Sequence, residues 1–188
     1  MTKQAANRAT RWRLQRIVSG GQTGVDRAAL DVALELGIPC GGWCPKGRLA
    51  EDGRIDTCYP LQEAPTANYA ERTALNVRDS DGTLIFARGS LRGGTALTKQ
   101  LAERYGRPFL VVDPREETSP ARVVEWLASH TIRTLNVAGP RASQRPEVSE
   151  HAAAFLREMF AQLWSVSPET LPRRHRVSPH TLRKPDQP

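Results

Sequence analysis

Apolar positions along the chain fall into two alternating rhythms. The runs Gln15–Ser19, Gly82–Ala87, Phe109–Val112 and Ile132–Ala138 are short, aliphatic and β-branched, the pattern of buried strands. Between and after them, apolar residues recur at helical spacing. Val25, Ala28, Ala29, Val32 and Leu36 mark a helix over about 24–36, and Tyr69, Thr73, Ala74 and Val77 one near 66–79. Leu97, Leu101 and Tyr105 share one face, as do Val123, Val124 and Leu127, and then Val148, Ala152, Phe155, Met159 and Leu163. Gly37 with Pro39, and Gly106 with Pro108, supply stop signals. Ser119-Pro120 predicts an N-cap followed by a first-turn proline. Thr95 reads as the N-cap of its helix, and Thr23 with Asp26 has the form of a capping box. Ile38–Trp43 is ambiguous and reads as a short second strand; Leu49–Pro60 is polar and turn-rich and reads as a long surface loop.

Strands alternating with helices specify an α/β fold, a doubly wound, mostly parallel sheet with helices on both faces. Ligands of such sheets sit outside the carboxyl ends of the strands. Three strands end in glycine-bearing loops that lead into helices, at 19–24, 88–95 and 139–146. Parallel strands share a direction, so all three loops should emerge on one edge. A glycine turn at a helix N-terminus can present backbone N–H groups to an anion. The plainer reading is a tight corner that needs glycine for its backbone angles.

The candidate anion-binding residues are therefore Gly20, Gly21, Gln22, Thr23 and Gly24 in the first corner. In the second they are Arg88, Gly89, Ser90, Arg92, Gly93, Gly94 and Thr95. Asp26 suits the helix dipole but disfavours a phosphate on its own turn, unless Arg27 or Lys46 offsets it. That makes Gly93-Gly94-Thr95 the better seat. Lys46 and Arg48 are further candidates for an anionic ligand, against the alternative of solvated loop charges. Cys40 and Cys44 have no second pair or nearby His to complete a zinc site.

Length and composition narrow the class. The 188 residues fit one domain, expected over 16–164, with a disordered basic arm at 1–15 and a disordered basic tail at 165–188. The net charge of +7 invites a nucleic-acid reading, but its distribution argues against one. Lys3, Arg8, Arg11, Arg13 and Arg16 precede the domain without an acid among them. Arg173, Arg174, Arg176, Arg183 and Lys184 follow it against Glu169 and Asp186, which leaves the middle near neutral. No apolar run approaches the roughly 20 residues of a membrane span. The first residues lack a signal-peptide core and the three cysteines form no disulfide framework, so the cytoplasm is the expected compartment. His130 and His151 fall in helices and His175 and His180 in the tail, so no histidine flanks a glycine turn and no catalytic residue is assigned.

The run Ser19-Gly20-Gly21-Gln22-Thr23-Gly24-Val25-Asp26-Arg27 resembles the molybdenum carrier family. So do the block Gly41–Arg48, the stretch Ala50-Glu51-Asp52-Gly53, and Gly93-Gly94-Thr95. That family is similar to a Rossmann-like group that includes the lysine-decarboxylase-like phosphoribohydrolases and the DNA-processing protein A fold. The resemblance covers about residues 16–163. It implies a Rossmann-like carrier or storage protein for the molybdenum cofactor, a pyranopterin phosphate, assembled as a homo-oligomer (dimer or tetramer). The phosphate would lie on a glycine turn, with Arg88, Arg92, Lys46 or Arg141 taking the remaining charge. The related phosphoribohydrolases carry a glutamate three residues after the threonine of their glycine motif, where this chain has Thr98. That points away from nucleoside monophosphate cleavage, which stands as the alternative beside a nucleotide- or ADP-ribose-sensing domain.

Overall fold

The structure is a computed structural model that describes residues 12–115 and 119–165. Strand β1 (Arg16–Val18) buries Ile17 and Val18 in the interior of a five-stranded sheet. The other four members are β2 (Cys40–Gly41), β7 (Gly82–Phe86), β8 (Phe109–Val112) and β9 (Thr134–Ala138), and the spatial order is β2-β1-β9-β7-β8. Every pairing in it is parallel, with Ile17 beside Cys40 and Leu135, and Leu84 beside Val137 and Leu110. All five residues of β7 are buried, as a strand covered on both faces requires.

Among the described residues, five helices cover the sheet: α1 (Val25–Glu35), α2 (Tyr69–Arg78), α3 (Gly93–Arg104), α4 (Pro120–Ser129) and α5 (Val148–Ser165). Helices α1, α4 and α5 pack together over one face. Their core includes Val25, Val32, Val123, Leu127, Leu156 and Met159 against Ile17, Leu84 and Leu135. Phe86 and Phe155 meet edge to face with ring centroids 5.4 Å apart. Helices α2 and α3 pack on the other face through Val77, Leu101 and Ala102. The α/β architecture with a parallel, Rossmann-like sheet is the one the sequence predicts. Among the described residues, no helix is long and apolar enough to cross a membrane.

Several local expectations are corrected. The N-cap of α3 is Arg92, not Thr95, and the helix begins three residues earlier than expected, with Gly93 at φ 51°. The Arg92 carbonyl accepts the N–H groups of Thr95 and Ala96 at 3.2 and 3.3 Å. The N-cap of α1 is Gly24, so Thr23 and Asp26 form no capping box. Gly42 breaks the ambiguous stretch after α1 into β2 and β3 (Trp43–Cys44). Its φ of 126° and its approach to the Ser19 carbonyl leave no room for a side chain. β3 then leaves the main sheet to pair with β6 (Gln62–Glu63). The expected surface loop 49–60 contains a hairpin, β4 (Leu49–Ala50) against β5 (Gly53–Arg54), and buries Ile55 with Leu30, Cys44 and Leu61. Trp12, inside the expected arm, packs on the core and donates its indole N–H to the Ile132 carbonyl at 3.0 Å. The rest of the arm, residues 1–11, and the tail beyond Ser165 lie outside the described residues.

Phe155→Ala opens a void between α5 and the sheet. It should lower the unfolding free energy by about 3–5 kcal/mol, whereas exposed Glu158→Ala stays within about 0.5 kcal/mol. Denaturant titration of both variants measures the difference.

Candidate functional site

Strands β1, β9 and β7 are neighbours, so the corners that follow them open on the same edge of the sheet. Two interstrand spacings put the first and second corners roughly 10 Å apart, with the corner after β9 between them. The contacts are tight. A Cβ on Gly24 would lie 2.3 Å from the Pro140 carbonyl oxygen, and one on Gly139 would lie 3.0 Å from that of Phe86. The three corners form one rim, yet each has its own chemistry.

The first corner is closed. Residues 19 to 26 are all buried. The carboxylate of Asp26 accepts from the backbone N–H groups of Gln22 and Gly20, so the turn's donors point at an acid of the same chain. Arg72 reaches in from α2 and pairs with Asp26 at 3.1 Å. Its guanidinium occupies the space where a Gly20 side chain would be. Burial pushes the Asp26 carboxyl above its usual range, and Arg72 and the two N–H groups pull against that. The expected offset by Arg27 or Lys46 is thus supplied by a residue the sequence did not single out. Arg27 donates instead to the Gly21 carbonyl and to Asp52, the latter at 3.1 Å.

The hairpin β4–β5 straps this corner from outside. Gln22 Oε1 accepts from the N–H groups of Thr23 and Glu51 at 3.0 and 2.9 Å. The Glu51 carboxylate accepts from the Thr23 hydroxyl, the Ser143 hydroxyl and the Ser143 N–H, which hold it below the ordinary carboxylate range. Arg27 holds Asp52 low in the same way. Arg48, expected at the ligand, has a different job. It is 7% exposed and gives its donors to four backbone carbonyls, those of Ile55, Leu61, Asp56 and Tyr59. Its guanidinium shapes the segment 49–61 from within. Lys46 is exposed on the neighbouring turn.

The second corner is open. Arg88, Gly89, Ser90, Arg92, Gly93 and Gly94 are exposed, and Thr95 is buried beneath them. A Cβ on Gly93 or Gly94 would meet nothing within 4 Å. The α3 N-terminus has no side-chain cap and no acid in its first turn. Its leading N–H groups lack intrahelical partners, as at any helix start, and they carry the positive end of the helix dipole. Thr98, where the related hydrolases have glutamate, donates its hydroxyl to the Gly94 carbonyl at 2.8 Å and supplies no carboxylate. Arg141 of the third corner stacks 4.9 Å over the Tyr69 ring. The structure therefore brings Gly20–Gly24 and Arg88–Thr95 to one rim and turns Arg48 inward. It adds Arg72, Glu51 and His151, none of which the sequence reading placed there. His151 stands on α5 beside Arg88 and Pro140. A histidine three residues into a helix gave no sign that its helix starts at the rim. Among the described residues, no three His, Cys, Asp or Glu side chains gather as a metal site.

A parallel α/β sheet with an open helix N-terminus at its carboxyl edge is the architecture of a small-molecule binding protein of the Rossmann-like kind. The profile of the circularly permutated YpsA SLOG family matches residues 17–160, and the chain belongs to that family. No curated protein matches it. A solved structure, the "Putative molybdenum carrier protein" from Syntrophus aciditrophicus SB, is similar at 48% identity with a TM-score of 0.75. The match covers 79% of this chain and 96% of that one.

Asp26→Ala strands the Arg72 guanidinium in a buried corner and should cost about 3–5 kcal/mol of stability, read by denaturant unfolding. Glu51 and Asp52 titrate lower folded than unfolded, so their contribution is present above the unfolded carboxylate range near pH 4. It is lost as pH falls through their folded values. Amide protection at 49–55, taken relative to the intrinsic exchange rate at each pH, should therefore fall on acidification toward pH 3 before protection in β7 does, and Glu51→Gln should show the lower protection already at pH 7.

Proposed function

We propose that this protein binds and carries a phosphorylated small molecule, with the molybdenum cofactor as the favoured cargo. The observation that carries the reading is the open α3 N-terminus, Gly93-Gly94, uncapped and acid-free at the carboxyl edge of the sheet. Backbone N–H groups there would receive the terminal phosphate, and Arg88 and Arg92 beside them would take its charge in planar, two-pronged contacts. Gly89, Ser90 and Thr95 shape that loop. The first corner would not hold the phosphate itself, because Asp26 already occupies its donors. It would act as the fixed wall against which the cargo rests.

The similarity to a protein named as a molybdenum carrier supports the choice of cargo. The chemistry of the donor set fits the phosphate end of a pyranopterin: uncharged N–H groups backed by arginines, with room for a ligand above the glycines. Thr98 in place of glutamate supports carriage over N-glycosidic cleavage, which needs an acid–base group near the glycosidic bond. The reading also takes the protein to be cytoplasmic and a homo-oligomer.

Gly94→Val should leave the melting temperature near that of the wild type, because its side chain has space in the fold. It should lower cargo binding more than tenfold by blocking the approach to the backbone. The check is pterin fluorescence and molybdenum content of protein purified without oxygen, wild type beside variant. Equal loading of both would remove the α3 turn as the seat; a bound nucleotide in place of a pterin would remove the cofactor as the cargo.

A further inference from the structure

Beyond the glycine turn, the rim holds a second basic recess that the resemblance does not account for. It lies where the loops after β7, β8 and β9 meet the first turn of α5, and Arg88, Arg115, Arg145 and His151 line it together with Asp113 and Glu147. The enclosed volume is about 20 Å³, room for one oxygen-sized atom, and the recess opens to solvent at its mouth.

Its charges do not cancel. Arg115 lies 3.9 Å from Glu147, and Asp113 accepts the backbone N–H of Arg115 at 3.0 Å. Arg145 reaches the Arg88 carbonyl at 3.4 Å, which holds the two arginines side by side. Among the described residues, no carboxylate pairs with Arg88 or Arg145. The Nδ1 atom of His151 is buried without a hydrogen-bond partner. A buried polar atom left unpaired in a folded protein calls for a partner, and here it borders a recess with two guanidinium groups that have no carboxylate partner among the described residues.

We propose that this recess is a seat for a small tetrahedral oxyanion, separate from the α3 glycine turn and sharing only Arg88 with it. One oxygen would enter the enclosed space and bond to His151 Nδ1. The remaining oxygens would stay at the mouth, within reach of the Arg88 and Arg145 forks, whose planar donors suit oxyanions. The same chemistry serves a free oxyanion such as molybdate or phosphate and the terminal group of a phosphomonoester. Arg115, already paired with Glu147, contributes field rather than a contact.

Equilibrium dialysis with inorganic molybdate, inorganic phosphate and ribose 5-phosphate tests the seat, on wild type, Arg145→Gln, His151→Gln and Gly94→Val. Thermal unfolding of each variant confirms that it folds. The wild type should bind at least one of the three probes, and Arg145→Gln and His151→Gln should each weaken that binding at least tenfold. Gly94→Val closes the α3 turn, so the site that depends on Arg145 and His151 should be the one that remains in it. Tighter binding of the inorganic ions identifies a free-oxyanion seat; tighter binding of ribose 5-phosphate identifies a seat for a ligand's phosphate. Absence of binding to all three probes overturns the proposal, as does unchanged affinity in both Arg145→Gln and His151→Gln. Loss confined to Gly94→Val also overturns it and returns the anion to the α3 turn. The cargo reading stands or falls separately, on pterin loading at Gly94.

Discussion

The ion pair between Asp26 and Arg72 sets the character of the whole rim. Two charges taken out of water are costly, and their attraction offsets that cost only when the remaining donors and acceptors are also satisfied. Asp26 meets the condition by drawing in the N–H groups of Gly20 and Gln22, and the pair spans 3.1 Å from α1 to α2. The first glycine corner thereby becomes a self-liganded anion site. Its glycines are explained by what crowds them: the Arg72 guanidinium at Gly20 and the Pro140 carbonyl at Gly24. The same contacts tie α2, on one face of the sheet, to α1 on the other, so the corner is a rigid reference point for everything at the carboxyl edge.

The strap across that corner follows from the same need to satisfy buried polar groups. Gln22 and Thr23 are buried and face outward toward the segment 48–55, and the hairpin brings Glu51 to meet them and Ser143 together. Four carbonyls converging on Arg48 hold the base of the segment. A chain this irregular cannot satisfy its backbone through a ladder, and one planar guanidinium does so for four residues at once. The positive φ of Arg48, 56°, is the local cost of turning the side chain inward.

The layered fold was legible because it rests on periodicity. Apolar runs such as Gly82–Phe86 and stripes such as Val148 to Met159 report burial directly, and parallel strands force their loops to one edge. The division of labour among the corners was not legible, because it rests on pairs far apart in sequence. Asp26 and Arg72 are 46 positions apart, and neither residue alone says that the other lies beneath a glycine turn. Arg48 and Arg88 look alike in a sequence; only the surrounding chain makes one a buried clamp and leaves the other exposed. Trp12 escapes a sequence pattern for a related reason. A single aromatic residue in a polar stretch carries no period, and its partner is the Ile132 carbonyl more than a hundred residues away.

The contrast between the first and second corners comes down to one residue type in one helical turn. Both follow a parallel strand and both begin a helix with glycine, so their dipoles point the same way out of the same edge. Helix α1 carries an acid in its first turn and helix α3 carries none. An internal carboxylate satisfies the donors of the first, folds that corner shut and fixes its geometry. The second keeps its donors uncovered, with exposed arginines at Arg88 and Arg92 in place of an acid. A rim built this way separates stability from binding. The closed corner contributes the rigid wall, and the open one can receive an anion without first releasing any contact that the fold needs.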